Sequence, residues 1–215
     1  MRELATRTAV GLILIVIALG AALAGGWAFA LLVAAAATIM YFEWSRMLAG
    51  WGIGWKLVGF AYCLLPALSL LWIRERAEYQ GIGTGFDLLV WVFLVVWSTD
   101  IGAYFSGRAI GGPKLAPSIS PNKTVAGLVG GIIAASVIAG LWTKFANLPA
   151  SLYWLAAPLA AASQLGDLFE SWLKRRAGVK DSGSWLPGHG GMLDRVDGLG
   201  PVAVLTAFLM LANGL

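Results

Sequence analysis

Charge is absent from the chain for long stretches. From Thr8 to Phe42 there is no Asp, Glu, Lys, Arg or His in 35 residues. At about 1.5 Å per helical residue, such a run is too long for one crossing of a roughly 30 Å hydrocarbon layer. Gly25-Gly26 sits near its middle, so the run predicts a helical hairpin, with spans at about Thr8–Ala24 and Trp27–Trp44. Further apolar runs predict spans over Leu57–Ile73, Phe86–Ser106, Thr124–Thr143, Ser151–Trp172 and Gly198–Asn213. The first run is kept as a span and not as a cleaved leader, because no small-residue cleavage site is followed by a soluble domain. The fold expected is all-α, a polytopic integral membrane bundle of about seven transmembrane helices.

Composition agrees. Of 215 residues, 59% are hydrophobic and 12% charged, against about 25% charged in a soluble domain. No internal repeat or low-complexity linker divides the chain, so one domain over residues 1–215 is expected. The single cysteine, Cys63, can form no internal disulfide and reads as a small buried hydrophobe.

The net charge of +4 matters less than its placement. With the N-terminus in the cytoplasm, 12 of the 15 basic residues fall on the cytoplasmic side, and only Arg74, Arg76 and Lys144 fall outside. Basic residues in short loops set orientation in this sense. Tryptophans 27, 44, 72, 142, 154 and 172 flank the spans, as interfacial anchors do.

The carboxylates can then be placed in depth. Asp100 lies eight residues before Arg108, and Asp167 seven before Lys174, about two turns inside the cytoplasmic boundary. Glu43, Glu170, Asp194 and Asp197 fall on the same side. Ionisable residues in or beside a span are costly and mark function by default. Carboxylates beside a basic loop can hold a hard divalent cation together with a polyphosphate. Local pairing competes with this reading. Glu170 and Lys174, four apart, read as a surface ion pair, and so do Glu43 and Arg46. Lys174–Arg176 can serve as a topological anchor. Asp194 and Asp197 can share a helical face or cap the last span. His189, between glycines, reads as a loop residue more than a ligand, and zinc is unsupported without a second histidine or a usable cysteine.

A second cytoplasmic loop, residues 107–124, joins Arg108, Lys114 and Lys123 to glycines, prolines and hydroxyls ahead of a span. A helix start there favours anions. It lacks the GxxxxGK[ST] pattern, and the Asn122-Lys123-Thr124 sequon is discarded because it faces the cytoplasm.

The segment from Ser171 to Asp197 resembles the C-terminal signature of phosphatidate cytidylyltransferases, also called CDP-diacylglycerol synthases. Ser171, Lys174, Arg175, Lys180, Asp181, Leu186, Pro187, His189, Gly190, Gly191, Asp194, Arg195 and Asp197 carry the match. Asp100, Tyr104 and Arg108, the Lys114-Leu-Ala-Pro run, Ser120-Pro-Asn122-Lys123-Thr124 and Phe42-Glu43-Trp44 resemble other motifs of that family. Relative to it, the chain looks shortened between the third span and Asp100.

The resemblance implies a magnesium-dependent enzyme that converts CTP and phosphatidic acid to CDP-diacylglycerol and pyrophosphate. It implies a homodimer, and a monovalent cation such as potassium beside the magnesium. Asp167 and Asp194 match the metal-binding aspartates. Lys174, Arg175, Lys180 and Asp197 are expected to join them in catalysis. Asp100, Tyr104, Arg108, Lys114, Ser120, Asn122, Lys123, Thr124, Ser171, His189, Gly190, Gly191 and Arg195 are expected in substrate binding. Residues 1–84 would then be N-terminal helices, and 85–215 the catalytic helices and loops. A prokaryotic inner membrane with a cytoplasmic site is expected, and no nucleic-acid partner. The rival readings are a CTP-dependent enzyme acting on a prenyl or archaeal lipid, and a transporter with buried carboxylates.

Overall fold

Two glycines end the first apolar helix and begin the second. The computed structural model describes residues 2–76, 84–185 and 190–212, with side chains from residue 11 onward. In it α1 (Arg2–Ala24) and α2 (Gly26–Met47) meet at Gly25 and Gly26, both in the left-handed region that glycine adopts without strain. The corner is tied from outside. Arg74 donates to the carbonyls of Ala22 (2.5 Å) and Leu23 (3.0 Å), and Glu75 accepts from the Gly26 N–H at 2.9 Å. These bonds satisfy backbone groups that helix ends leave without partners.

α3 (Ile53–Arg74) follows, then α4 (Gly85–Ile110). A capping box starts α4: the Asp87 N–H donates to the Thr84 hydroxyl, and the Asp87 carboxylate accepts from the Thr84 N–H at 2.9 Å. The loop predicted after α4 contains a small antiparallel hairpin, β1 (Lys114–Ala116) and β2 (Ser120–Thr124), with Lys114 opposite Thr124 and Ala116 opposite Ser120. Thr124 then caps α5 (Val125–Phe145), its hydroxyl accepting from the Gly127 N–H at 3.0 Å. α6 (Ser151–Arg176), the one-turn α7 (Leu193–Val196) and α8 (Leu199–Ala212) complete the described chain.

The long helices lie where the apolar runs placed them. Four of them, α2 to α5, are long and apolar enough to cross a membrane. α6 has the length, but its second half carries Asp167, Glu170 and three basic residues. The apolar part of α1 and α8 are shorter. Leu31, Phe60, Ile133, Val137, Leu141 and Phe208 point outward and exposed, an apolar surface suited to lipid.

The main core runs through α4. Leu89, Trp91, Val92 and Val95 pack with Ala135 and Ala139 of α5, Leu152 and Ala156 of α6, and Val202 of α8. A second cluster joins α2, α3, α6 and α7 through Met40, Trp44, Cys63, Leu173 and Leu193, with Cys63 buried as expected. This second cluster stands beside the carboxylates and fixes the helix ends that carry them.

Candidate active site

α6 supplies the first half of the site. Asp167, Glu170, Ser171 and Lys174 follow one another at helical spacing, so they share a face. Ser171 donates to Asp167 at 3.3 Å, and Lys123 reaches from β2 to the other Asp167 oxygen at 2.5 Å. Lys123 also donates to Gln164 at 3.0 Å, and the Gln164 amide donates to Asp100 of α4 at 3.2 Å. The hairpin is thus locked onto α6, and Arg175 adds a bond to the Ile119 carbonyl at 3.3 Å.

The second half comes from residues 181–185 and 190–197. Lys174 spans the two halves, 2.5 Å from Asp194 and 3.3 Å from Glu170. One Asp194 oxygen faces Lys174. The other accepts from the Gly191 N–H (2.8 Å) and from the Ser182 N–H and hydroxyl (3.0 Å each). Burial alone would push the Asp194 carboxyl up, but Lys174 and these donors outweigh it and hold it below the usual carboxylate range. Asp197 behaves oppositely. Burial pushes it up to about 7, with the charges of Asp167 and Asp100 adding, although it accepts from the Gly198 N–H at 2.8 Å.

The glycines here are steric requirements. Gly190 has φ +81°, and a Cβ on it would stand 3.0 Å from Asp194. A Cβ on Gly191 would meet Glu43 at 2.7 Å and crowd Ser182. The predicted His189 lies outside the described residues, as do Leu186, Pro187 and Gly188.

Other predicted residues are placed around this centre. Thr124 is buried as the α5 cap, and Ser120 is half-buried on β2. Tyr104, Arg108, Lys114, Asn122 and Lys180 are exposed and stand apart from the carboxylates' hydrogen bonds. Arg195 lines an open cavity of about 440 Å³ whose lining comes from α1, α2, α3, α4, α7 and α8. Its lining is mostly apolar, and Asp100, Arg195 and Asp197 are the charged residues in it.

Two local readings are corrected. Glu43 is not a surface partner of Arg46. It is 1% exposed and accepts from Ser182 and from the N–H groups of Met192 and Leu193, while Arg46 lies over the Phe42 ring. Glu170 does pair with Lys174, but not at the surface, since it too is 1% exposed. Sequence reasoning also passed over Gln164. The available signal was its position three residues before Asp167, a buried amide within an apolar helix.

A family model described as the cytidylyltransferase family matches residues 55–212. The chain is 47% identical over 197 residues to a protein of Brucella suis named phosphatidate cytidylyltransferase, which covers 90% of this chain and 67% of that protein. The chain belongs to the cytidylyltransferase family. Relatives of the same name occur in Haemophilus influenzae, 48% identical over 65% of this chain and 52% of that protein, and in Bacillus subtilis, 48% identical over 58% and 46%.

The family resemblance implies magnesium, and the donors suit it. Asp100, Asp167, Glu170, Asp194 and Asp197 supply only hard oxygens, and the two lysines that reach them, Lys123 and Lys174, leave negative charge in excess. Among the described residues, no three ligating side chains converge tightly enough to cage an ion alone. Magnesium needs no such cage, because it commonly takes one or two carboxylates and fills its shell with water and substrate phosphate.

Proposed function

We propose that this chain transfers the cytidylyl group of CTP to phosphatidic acid, giving CDP-diacylglycerol and pyrophosphate. The observation that carries the reading is the junction of the carboxylate and lysine site with an apolar cavity. A substrate held there needs both a strongly anionic head and an apolar body, and a phosphorylated lipid has both. The relatives' names supply the nucleotide and the lipid class.

In the reaction proposed, a phosphatidate oxygen bonds to the α-phosphorus of CTP while the bond to the β-phosphate bridging oxygen breaks. An ionised phosphate needs no strong base, so positioning and charge neutralisation dominate. Lys123 and Lys174, paired to Asp167 and Asp194, are placed to swing onto phosphate oxygens. Arg175 and Lys180 supply further positive charge at the same end. Asp167 and Asp194 would hold magnesium, whose charge would stabilise the leaving pyrophosphate. A potassium-like ion beside it, a homodimer, seven crossings with a cytoplasmic N-terminus, and an inner-membrane site facing the cytoplasm belong to the same proposal.

The test is purified protein in detergent with CTP, magnesium and phosphatidic acid. Pyrophosphate and CDP-lipid should appear in equal amounts, and only when both substrates are present. Product formed from a prenyl phosphate and not from phosphatidic acid would overturn the lipid assignment.

A further inference from the structure

One buried charge takes no part in the proposed reaction. Glu43 lies on α2, far in sequence from the catalytic segments, and is 1% exposed. One of its oxygens accepts from the Met192 N–H at 3.0 Å. The other accepts from the Leu193 N–H at 2.9 Å and from the Ser182 hydroxyl at 3.2 Å. Each carboxylate oxygen thus accepts from one backbone amide, and the Ser182 hydroxyl stands within reach of the second. Gly183 and Gly191 also approach it closely. A Cβ on Gly183 would stand 2.8 Å from the Glu43 carboxyl carbon, and one on Gly191 2.7 Å from its oxygen.

The Ser182 hydroxyl has one hydrogen and two carboxylate neighbours, Glu43 at 3.2 Å and Asp194 at 3.0 Å. The amides bound by Glu43 belong to the two residues immediately before Asp194. Fixing those amides fixes the start of α7, and so the direction in which Asp194 meets Lys174. A buried carboxylate is expensive unless its donors are retained. The cost therefore falls on any movement of Ser182, Met192 or Leu193 away from α2.

We infer that Glu43 is a positioning residue: from α2 it latches Ser182, Met192 and Leu193 and thereby sets Asp194 for reaction. Its catalytic consequence rests on the proposed function, whereas the latch does not.

The experiment compares wild type with Glu43→Gln, Glu43→Asp and Ser182→Ala, following amide hydrogen exchange and steady-state kinetics. Glutamine keeps the shape but offers one acceptor where the carboxylate offers two. Exchange at Met192 and Leu193 should speed by roughly tenfold or more in Glu43→Gln, with α5 unchanged. The kcat should fall by about the same factor, with KM for CTP changed less than about twofold. Glu43→Asp, which keeps the charge one methylene short, should recover part of both losses. Ser182→Ala leaves both amide bonds intact, so it should lower kcat by roughly threefold or more with exchange at 192–193 near wild type.

Unchanged exchange in folded Glu43→Gln would overturn the latch. Faster exchange with unchanged kcat would overturn the positioning role. If Glu43→Gln fails to fold, Glu43→Asp decides, and wild-type exchange at 192–193 together with a wild-type kcat in it counts against the inference. A wild-type protein that makes no CDP-lipid would sink the proposed function alone, because exchange in the glutamine variant still decides the latch.

Discussion

Asp167 and Asp194 are each engaged by a lysine at 2.5 Å, although they sit on different elements. Replacing either with asparagine removes the charge that holds the ammonium and would hold magnesium. Changing an outer partner of a metal ligand already costs about 10–100-fold in metal affinity or activity, so Asp167→Asn and Asp194→Asn should each cost about a hundredfold or more. Pyrophosphate release by the purified variants measures the loss. Their helix content should match wild type, and near wild-type turnover in both would remove them from the mechanism. Asp167 was legible in the sequence because a carboxylate within an apolar run has few innocent explanations, whereas Asp194, just ahead of the last apolar run, was singled out by the family resemblance. Glu43 was misread. Local spacing offers it only Arg46, whereas its partners lie 139, 149 and 150 residues away. Gln164 was missed for a related reason: an uncharged amide raises no alarm in a hydropathy pattern, though it joins Asp100 to Lys123.

Helix positions followed from apolar run length, while helix contacts did not. α4 and α5 pack through glycines that hydropathy treats as neutral. A Cβ on Gly131 would stand 2.7 Å from the Thr99 carbonyl oxygen, and one on Gly127 3.0 Å from that of Ala103. Small residues allow such approach between helices in lipid. Gly140 is also on α5, but its added Cβ would meet Tyr153 at an ordinary 3.5 Å. Alanine favours a helix over glycine by about 1 kcal/mol, which helps both substitutions alike. Overpacking costs about 1–3 kcal/mol and falls on Gly131→Ala alone. Thermal unfolding in detergent should therefore show Gly131→Ala less stable than wild type and Gly140→Ala equal or more stable. Because α5 begins at Thr124, directly after Lys123, Gly131→Ala should also lose activity. The reverse order of stabilities would mean that the α4–α5 approach does not carry this load. The β1–β2 hairpin was illegible for another reason: strands of three and five residues, with a proline in the second, are too short to display alternation.

At the scale of the whole molecule, the fold separates its charges between two ends. At one end Arg74 and Glu75 tie down the α1–α2 corner. At the other, the hairpin with Lys114 and Lys123, the basic end of α6 and the segment carrying Asp194 are bonded together through Lys123, Arg175 and Lys174. The 12 basic residues assigned to the cytoplasm lie in segments leading to this second end, and the three others lead to the first. Nucleotide is cytosolic, so the proposed reaction requires the second end to face inward. Two positions read this directly in a Cys63→Ala background. Ser184 is exposed beside the Asp194 segment, and Ala150 is exposed in the α5–α6 connection. A thiol reagent that cannot cross membranes, applied to intact cells, should label Ala150→Cys and leave Ser184→Cys unlabelled until the membrane is permeabilised. Labelling of Ser184→Cys from outside, with Ala150→Cys protected, would invert the topology. It would also remove the site from the compartment that holds CTP, so the orientation and the proposed reaction stand or fall on the same measurement.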